Sequence, residues 1–291
     1  VAADGAAHAA ARVSLRGVDF SSAPTRRKPI VLALGELRPA DPATGQRDVV
    51  RLLGLRRLDT LAAYAACLAD PGPWVGAFDF PFSLPRELVQ QLGWPTDWPA
   101  LIRHYRQLSR AEIRACFAAF CAARPAGGKF AHRACDLPAG ASPSMKWVNP
   151  PVAYMLHVGV PPLIDAGCHL PGLLAGDLDR VALEAYPGLL AREQLGRRSY
   201  KGDQPAARHD PARRAAREAL LDALLAGRTR LRLSLALVDA ALRELLLADA
   251  SGDSLDATLC LLQAGWAALR RGSDYGLPAD LDPLEGWIVS A

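Results

Sequence analysis

Three apolar stretches follow one another with only brief polar breaks: residues 13–20 (VSLRGVDF), 30–37 (IVLALGEL) and 49–58 (VVRLLGLRRL). Each has the length and residue types of a strand, and the breaks carry Ser, Pro, Gly and charged residues suited to turns. Connections this short cannot cross over a sheet, so the three strands are expected to form an antiparallel meander. Residues 61–69 then read as a short apolar helix, starting after the capping candidates Asp59 and Thr60 and ending before Pro71. The run 74–80 (WVGAFDF) reads as a buried strand stopped by Pro81. A strand reached through a helix is expected to lie parallel to a strand of the same sheet. An α/β fold with a mixed sheet flanked by helices follows from this order.

The next stretch, about 85–177, breaks the rhythm. It reads as a mostly helical insertion after the fourth strand, with a helix over 110–123 that buries Ile113, Phe117, Phe120 and Cys121, a loop over 126–145, and a short helix over 151–158. Strand character returns at 181–186 (VALEAY), with Pro187 as its stop. Helices are expected over 211–225, 233–248 and 253–270, the last with a buried stripe of Leu255, Leu259, Leu262, Trp266 and Leu269. The run 285–290 reads as a terminal strand. The whole is read as a single domain over 13–291, preceded by a mobile small-residue tail over 1–12 that lacks the features of a secretory signal. No apolar run reaches the roughly 18 residues that a membrane helix needs. The six cysteines are scattered without a CxxC pair, which suits reduced thiols in a cytoplasmic protein better than a disulfide framework or a zinc site.

Net charge is only +4, but it is unevenly spread. Arg192, Arg197, Arg198, Lys201, Arg208, Arg213, Arg214, Arg217, Arg228, Arg230 and Arg232 crowd one segment, and acids dominate after Asp239. A basic segment beside an acidic site suits a polyanion held near metal ions, and an ordinary solvated helix face explains it equally well.

Asp19, Asp79 and Glu184 each lie in or just after an apolar strand, where ligand sites of open α/β sheets form. Any one of them could cap a helix or pair with an arginine. Asp253 and Asp256 are three apart at the start of a helix and share one side of it. Asp253 could serve only the positive end of the helix dipole. Asp256 adjoins the apolar stripe and needs a partner that the neighbouring sequence does not offer. Carboxylates gathered together repel, and hard divalent cations such as Mg²⁺ or Mn²⁺ remove that repulsion. Two such ions about 4 Å apart can hydrolyse a phosphodiester. The histidines, His8, His104, His132, His157, His169 and His209, are dispersed and read as structural.

The segments GVDFSSAP, AFDFPFSLP, LEAYPGLL, SYK and GDSLDATLCLLQAGW resemble domain-of-unknown-function family 429, a family of predicted nucleases of the RNase H-like superfamily. The likeness runs from Val13 to the end of the chain. The last segment is also similar to the metal helix of Holliday-junction resolvases. The resemblance implies an RNase H-like, five-stranded mixed sheet with Asp19 on its central strand as anchor ligand. It implies Asp79 at the end of the fourth strand and Asp253 and Asp256 on the C-terminal helix, with Glu184 in the EAYP motif. Asp19, Asp79 and Asp256 are the expected metal ligands, and all five acids are expected to serve catalysis. Lys201, in SYK, is expected to face phosphate or the site, or to be an ordinary surface lysine. Arg133 is a candidate substrate contact and Asp136 a further candidate in the insertion.

The sequence thus favours a metal-dependent nuclease acting on DNA or RNA, with oligomeric state open and a dimer as one option. A binding protein of the same fold without chemistry is the alternative. An actin-like or sugar-kinase-like phosphotransferase fits less well, because Asp19 is followed by Phe, Ser, Ser and Ala where such proteins need a glycine-rich phosphate turn.

Overall fold

The computed structural model describes residues 13–291, apart from 41–44, 46, 203 and 205–208. The expected tail over 1–12, with His8, and the basic residue Arg208 lie outside the described residues.

The meander forms as expected: β1 (Val13–Asp19), β2 (Ile30–Arg38) and β3 (Val49–Leu58) pair antiparallel. Helix α1 (Leu61–Leu68) begins at Thr60, whose hydroxyl accepts from the Ala63 amide. It leads into β4 (Trp74–Asp79), which pairs parallel with β1. The insertion supplies α2 (Arg86–Gln91), α3 (Trp98–Tyr105), α4 (Arg110–Ala122), the single turn α5 (Asp136–Ala139) and α6 (Val152–Asp165). Helix α4 starts on a capping box between Ser109 and Glu112. The helix expected over 151–158 is longer and carries Pro161 and Pro162 inside it.

After the insertion come β5 (Cys168–His169), β6 (Asp177–Glu184), α7 (Pro187–Leu195), α8 (Pro211–Leu225), β7 (Ser234–Leu237), α9 (Ala240–Ala248) and α10 (Asp253–Ala268). The sheet therefore has seven strands, in the order β5-β6-β4-β1-β2-β3-β7, and not five. The two extra strands are short edge strands, paired parallel to β6 and β3. The helix expected over 233–248 divides into β7 and α9, because Asp239 caps a new helix by accepting from the Ala241 amide. The expected terminal strand over 285–290 is instead a set of turns, with Gly286 and Ser290 at positive φ. It is tied to the sheet by the Val289 amide donating to the Glu184 carbonyl at 2.9 Å.

Helices cover both faces of the sheet. On one face lie α7 to α10, packed on Leu15, Val31, Ala33, Val75, Ala77, Val181 and Leu183. On the other, α1 and the insertion pack on Val18, Ile30, Leu32, Trp74 and Phe78. There Phe20, Tyr64, Phe78, Phe80 and Phe82 form a chain of edge and tilted ring contacts. No helix among the described residues is long and apolar enough to cross a membrane. All six cysteines are free thiols.

Helix α10 is buried nearly all round, not along one stripe; Leu269, expected in that stripe, lies just past its end and is 36 % exposed. Two glycines allow α10 to sit so deep. A Cβ on Gly17 would lie 2.1 Å from the Ala257 carbonyl oxygen and 2.3 Å from the Leu261 amide nitrogen. A Cβ on Gly265 would lie 2.5 Å from Val50. The backbones of β1 and α10 thus touch, one turn from Asp256 and two residues from Asp19.

Candidate functional site

Side chains alternate across a strand, and that alternation sorts the acids. In β1, Leu15 and Gly17 face α10, so Asp19 at the strand end does too. In β4, Val75 and Ala77 face the same way, and so does Asp79. Asp19 and Asp79 are register partners in the parallel β1–β4 pair. Asp256, in the first turn of α10, comes down onto them. One carboxylate oxygen from each of Asp19, Asp79 and Asp256 lies within 4.8 Å of the others. Among the described residues this is the one group of three or more acidic, histidine or cysteine side chains whose ligand atoms all meet at such range.

Asp256 is 1 % exposed. Its partners, which could not be read from its sequence neighbours, come from the segment before α8. The Tyr200 hydroxyl and the Lys201 ammonium both donate to its carboxylate. That segment is itself held in place: Arg217, buried in α8, donates to the Tyr200 carbonyl at 2.9 Å, and Arg213 donates to the Lys201 carbonyl at 3.0 Å. The Gly202 amide donates to the Ala250 carbonyl at 3.0 Å. Gly252, at φ +81°, precedes α10 where a Cβ would strike Lys201. Two arginines of the basic segment therefore build the site's frame. Others in it pair locally, Arg214 with Glu218 and Glu244, and Arg230 with Glu193.

The cluster is electrostatically tense. Burial pushes the Asp19 carboxyl well above the usual range, and Asp256, Asp253 and Asp79 push it further against the opposing pull of Lys201. Asp79 is pushed up to about 7, by burial first and then by Asp256. Burial works against the charge of Lys201, but Asp256, Asp79 and Asp19 together hold the ammonium more tightly protonated than a free lysine. Burial, then Asp249, raises Asp253, which lines the same cleft as Asp19 without joining the trio.

Glu184 points away from the trio. It is the register partner of Phe78, one residue short of Asp79, and so faces the insertion side of the sheet. There Arg133 grips both its oxygens at 2.6 and 2.7 Å, and the Phe82 amide donates at 2.8 Å. Arg133 also binds Asp136 through two of its nitrogens, at 2.9 and 3.1 Å. All three side chains are buried. This buried ion group ties the insertion to the end of β6. Glu184 reaches the trio only through its field, which helps to raise Asp79.

No protein-family model, curated protein or solved structure matches the chain.

The trio lies where several clefts adjoin. One of about 460 Å³ is lined by Asp19, Lys28, Pro150, Met155, Lys201 and Asp253. A second, of about 360 Å³, runs from Asp79 and Lys201 to Tyr186, Arg133 and Glu184. Arg192 and Arg198 stand over Asp79 and Lys201 in a third. A fourth, of about 670 Å³, carries Arg27, Lys28, Arg57 and His209 beside Asp253. The cations Arg27, Lys28 and Arg57 escaped the sequence reading, which took 21–29 as a turn; register could have shown them, since Arg57 pairs with Val31 on the strand that follows that turn.

Proposed function

We propose that the trio Asp19, Asp79 and Asp256 binds a divalent cation, Mg²⁺ or Mn²⁺, and that the protein hydrolyses phosphodiester bonds of nucleic acid. The observation that carries this reading is the convergence of three carboxylate oxygens within 4.8 Å, with Asp79 raised to about 7 and Asp19 raised well above its ordinary value. Acids held this close must share protons or a cation, and all-oxygen donors suit a hard ion. The fit is good in donor type. When bound, the cation supplies Lewis-acid stabilisation of phosphate oxygen and a more acidic water. The trio accounts for one ion, and a second would draw on Asp253.

The residues around the trio have defined tasks in this reading. Lys201 neutralises Asp256 in the resting state and is placed to move its ammonium to a phosphate. Tyr200 fixes the carboxylate of Asp256 by its hydroxyl. Glu184 and Arg133 keep the end of β6 beside Asp79. Arg192 and Arg198 offer cations to the phosphate backbone. The mixed sheet, with a meander and two parallel strands beside β1, supports the RNase H-like architecture, with β5 and β7 as additions.

The test is hydrolysis of labelled DNA and RNA with Mg²⁺ or Mn²⁺, wild type against Asp19→Asn. Cleavage that the variant loses is expected; equal cleavage by both would end the reading. One observation favours a binding protein without chemistry: Lys201 already supplies Asp256 with a cation. That reading expects nucleic-acid binding that weakens with salt and is indifferent to EDTA.

A further inference from the structure

We infer that the site takes a single strand, with one unstacked base lodged in the cleft between α6 and Tyr186 and the adjoining backbone lying over Arg27, Lys28 and Arg57; this rests on the nuclease reading above.

The clefts around the trio differ in chemistry and share walls. The 670 Å³ cleft is basic on one side, and shares Lys28, Gly202, Ser251 and Asp253 with the 460 Å³ cleft. That cleft shares Pro150, Met155 and Lys201 with the 360 Å³ cleft. The result is a continuous groove with the acids midway. With the paired Arg133 and Glu184 at its end, its far part is lined by Met155, Val152, Pro150, Ile288 and Tyr186. These are apolar and aromatic surfaces of the kind on which bases pack, in a space suited to one small planar group. Its near part suits phosphates, since Arg27 and Arg57 are exposed cations there.

The insertion decides strandedness. Pro150 and Met155 stand across the groove from Lys201 and line both inner clefts, so a substrate must enter between α6 and the sheet ends. The 360 Å³ cleft has room for one base and not for a stacked pair. A base reaching it has left its partner, which costs least when it was never paired.

The test uses a 12-residue strand, as DNA and as RNA, its duplex, and strands carrying a single abasic position moved stepwise past the cleaved bond. With Mn²⁺, the single strand is expected to be cut at least tenfold faster than the duplex. One abasic position is expected to lower kcat/KM about tenfold or more. In Val152→Trp, which fills the pocket, that same abasic position is expected to make no further difference. Arg27→Glu with Arg57→Glu is expected to raise KM for the 12-residue strand by about tenfold or more, and an unchanged KM would overturn the placement of the backbone. Equal cutting of duplex and single strand, or no abasic position that matters, would overturn the inference while leaving the nuclease reading intact. Should no strand be cut, the nuclease reading falls and binding decides this one. Fluorescence anisotropy with Ca²⁺ must then show the single strand bound more tightly than the duplex, with the abasic and Val152→Trp losses not adding; anything else overturns it.

Discussion

Lys201 and Asp256 lie 55 residues apart in the chain and form an ion pair within the acid trio, so the protein carries its own cation where a metal would bind. The Lys201 side chain is about half exposed, at 47 %, while Asp256 is enclosed. The two partners therefore respond differently to loss of the pair. Removing the lysine leaves a buried carboxylate beside two others.

From this, Lys201→Met is expected to destabilise the metal-free protein by about 1–2 kcal/mol, a modest figure because solvent reaches about half of the lysine side chain and Tyr200 still donates to Asp256. The same change removes a competitor for a cation. Mn²⁺ should bind the variant more tightly and raise its Tm more than it raises that of wild type. Thermal unfolding with and without Mn²⁺ measures both effects. A variant of unchanged Tm, or one that Mn²⁺ stabilises less than wild type, would show that Lys201 is not standing in for a metal.

The pH dependence follows from Asp79. Its pKa in the fold is raised to about 7, above the 3.8 of a free aspartate, so the folded protein holds that proton more tightly than the unfolded chain. The stability it contributes is complete below pH 3.8 and is lost as pH rises through about 7. A cation must displace the proton. Asp79 should therefore lower the Mn²⁺ dissociation constant by about tenfold for each pH unit well below 7, with its contribution levelling off above 7, and Asp19, raised as well, steepens the fall. Titration calorimetry between pH 5 and 8 reads this. Affinity independent of pH would remove Asp79 from the ligand set.

The close approach of β1 and α10 gives a sharper prediction about folding. Gly17→Ala would place a methyl group against the Ala257 carbonyl and the Leu261 amide, both backbone atoms that cannot turn aside. A loss of about 3 kcal/mol or more is expected, with weaker Mn²⁺ binding as Asp19 and Asp256 are pushed apart. Gly54→Ala, in β3 with open space around its Cβ position, is the control and should stay within about 0.5 kcal/mol of wild type. Urea unfolding compares the two directly.

The meander and the crossover to β4 were legible from local signals, strand-length apolar runs and turn residues; Asp19 and Asp79 stood out where strands end and Asp256 at the start of a helix, while the choice of these three among five acids rested on the resemblance. Lys201 was expected at phosphate or the site, but its pairing and that of Tyr200 with Asp256 were not legible, since they depend on α8, whose Arg213 and Arg217 hold the backbone of both residues. The direction of Glu184 was available in principle. VALEAY alternates, and Glu184 falls on the side of Ala182, opposite Val181 and Leu183; counting parity from β4 as well would have separated it from Asp79. The terminal turns and β7 were misread because short apolar runs fit strand and helix alike, and Asp239 and Gly286 settle the matter through cap and φ.

Arg133 and Glu184 supply the last prediction, which separates holding from chemistry. Arg133 is 2 % exposed and faces two carboxylates, Glu184 and Asp136, so its loss strands two buried charges together. Arg133→Met should cost about 3–5 kcal/mol, a large fraction of the roughly 5–15 kcal/mol that holds a typical domain folded. Glu184→Gln keeps the shape and one acceptor, and Asp136 remains to balance Arg133, so it should cost markedly less. If Glu184 only holds the end of β6, Glu184→Gln will lower the unfolding midpoint, relieve part of the upward pressure on Asp79, and leave Mn²⁺ binding intact at pH 8. If Glu184 itself serves as a ligand, Mn²⁺ affinity at pH 8 will fall by tenfold or more. Denaturant unfolding and calorimetry on one preparation distinguish the two outcomes, with Asp79→Asn as the reference for a lost ligand.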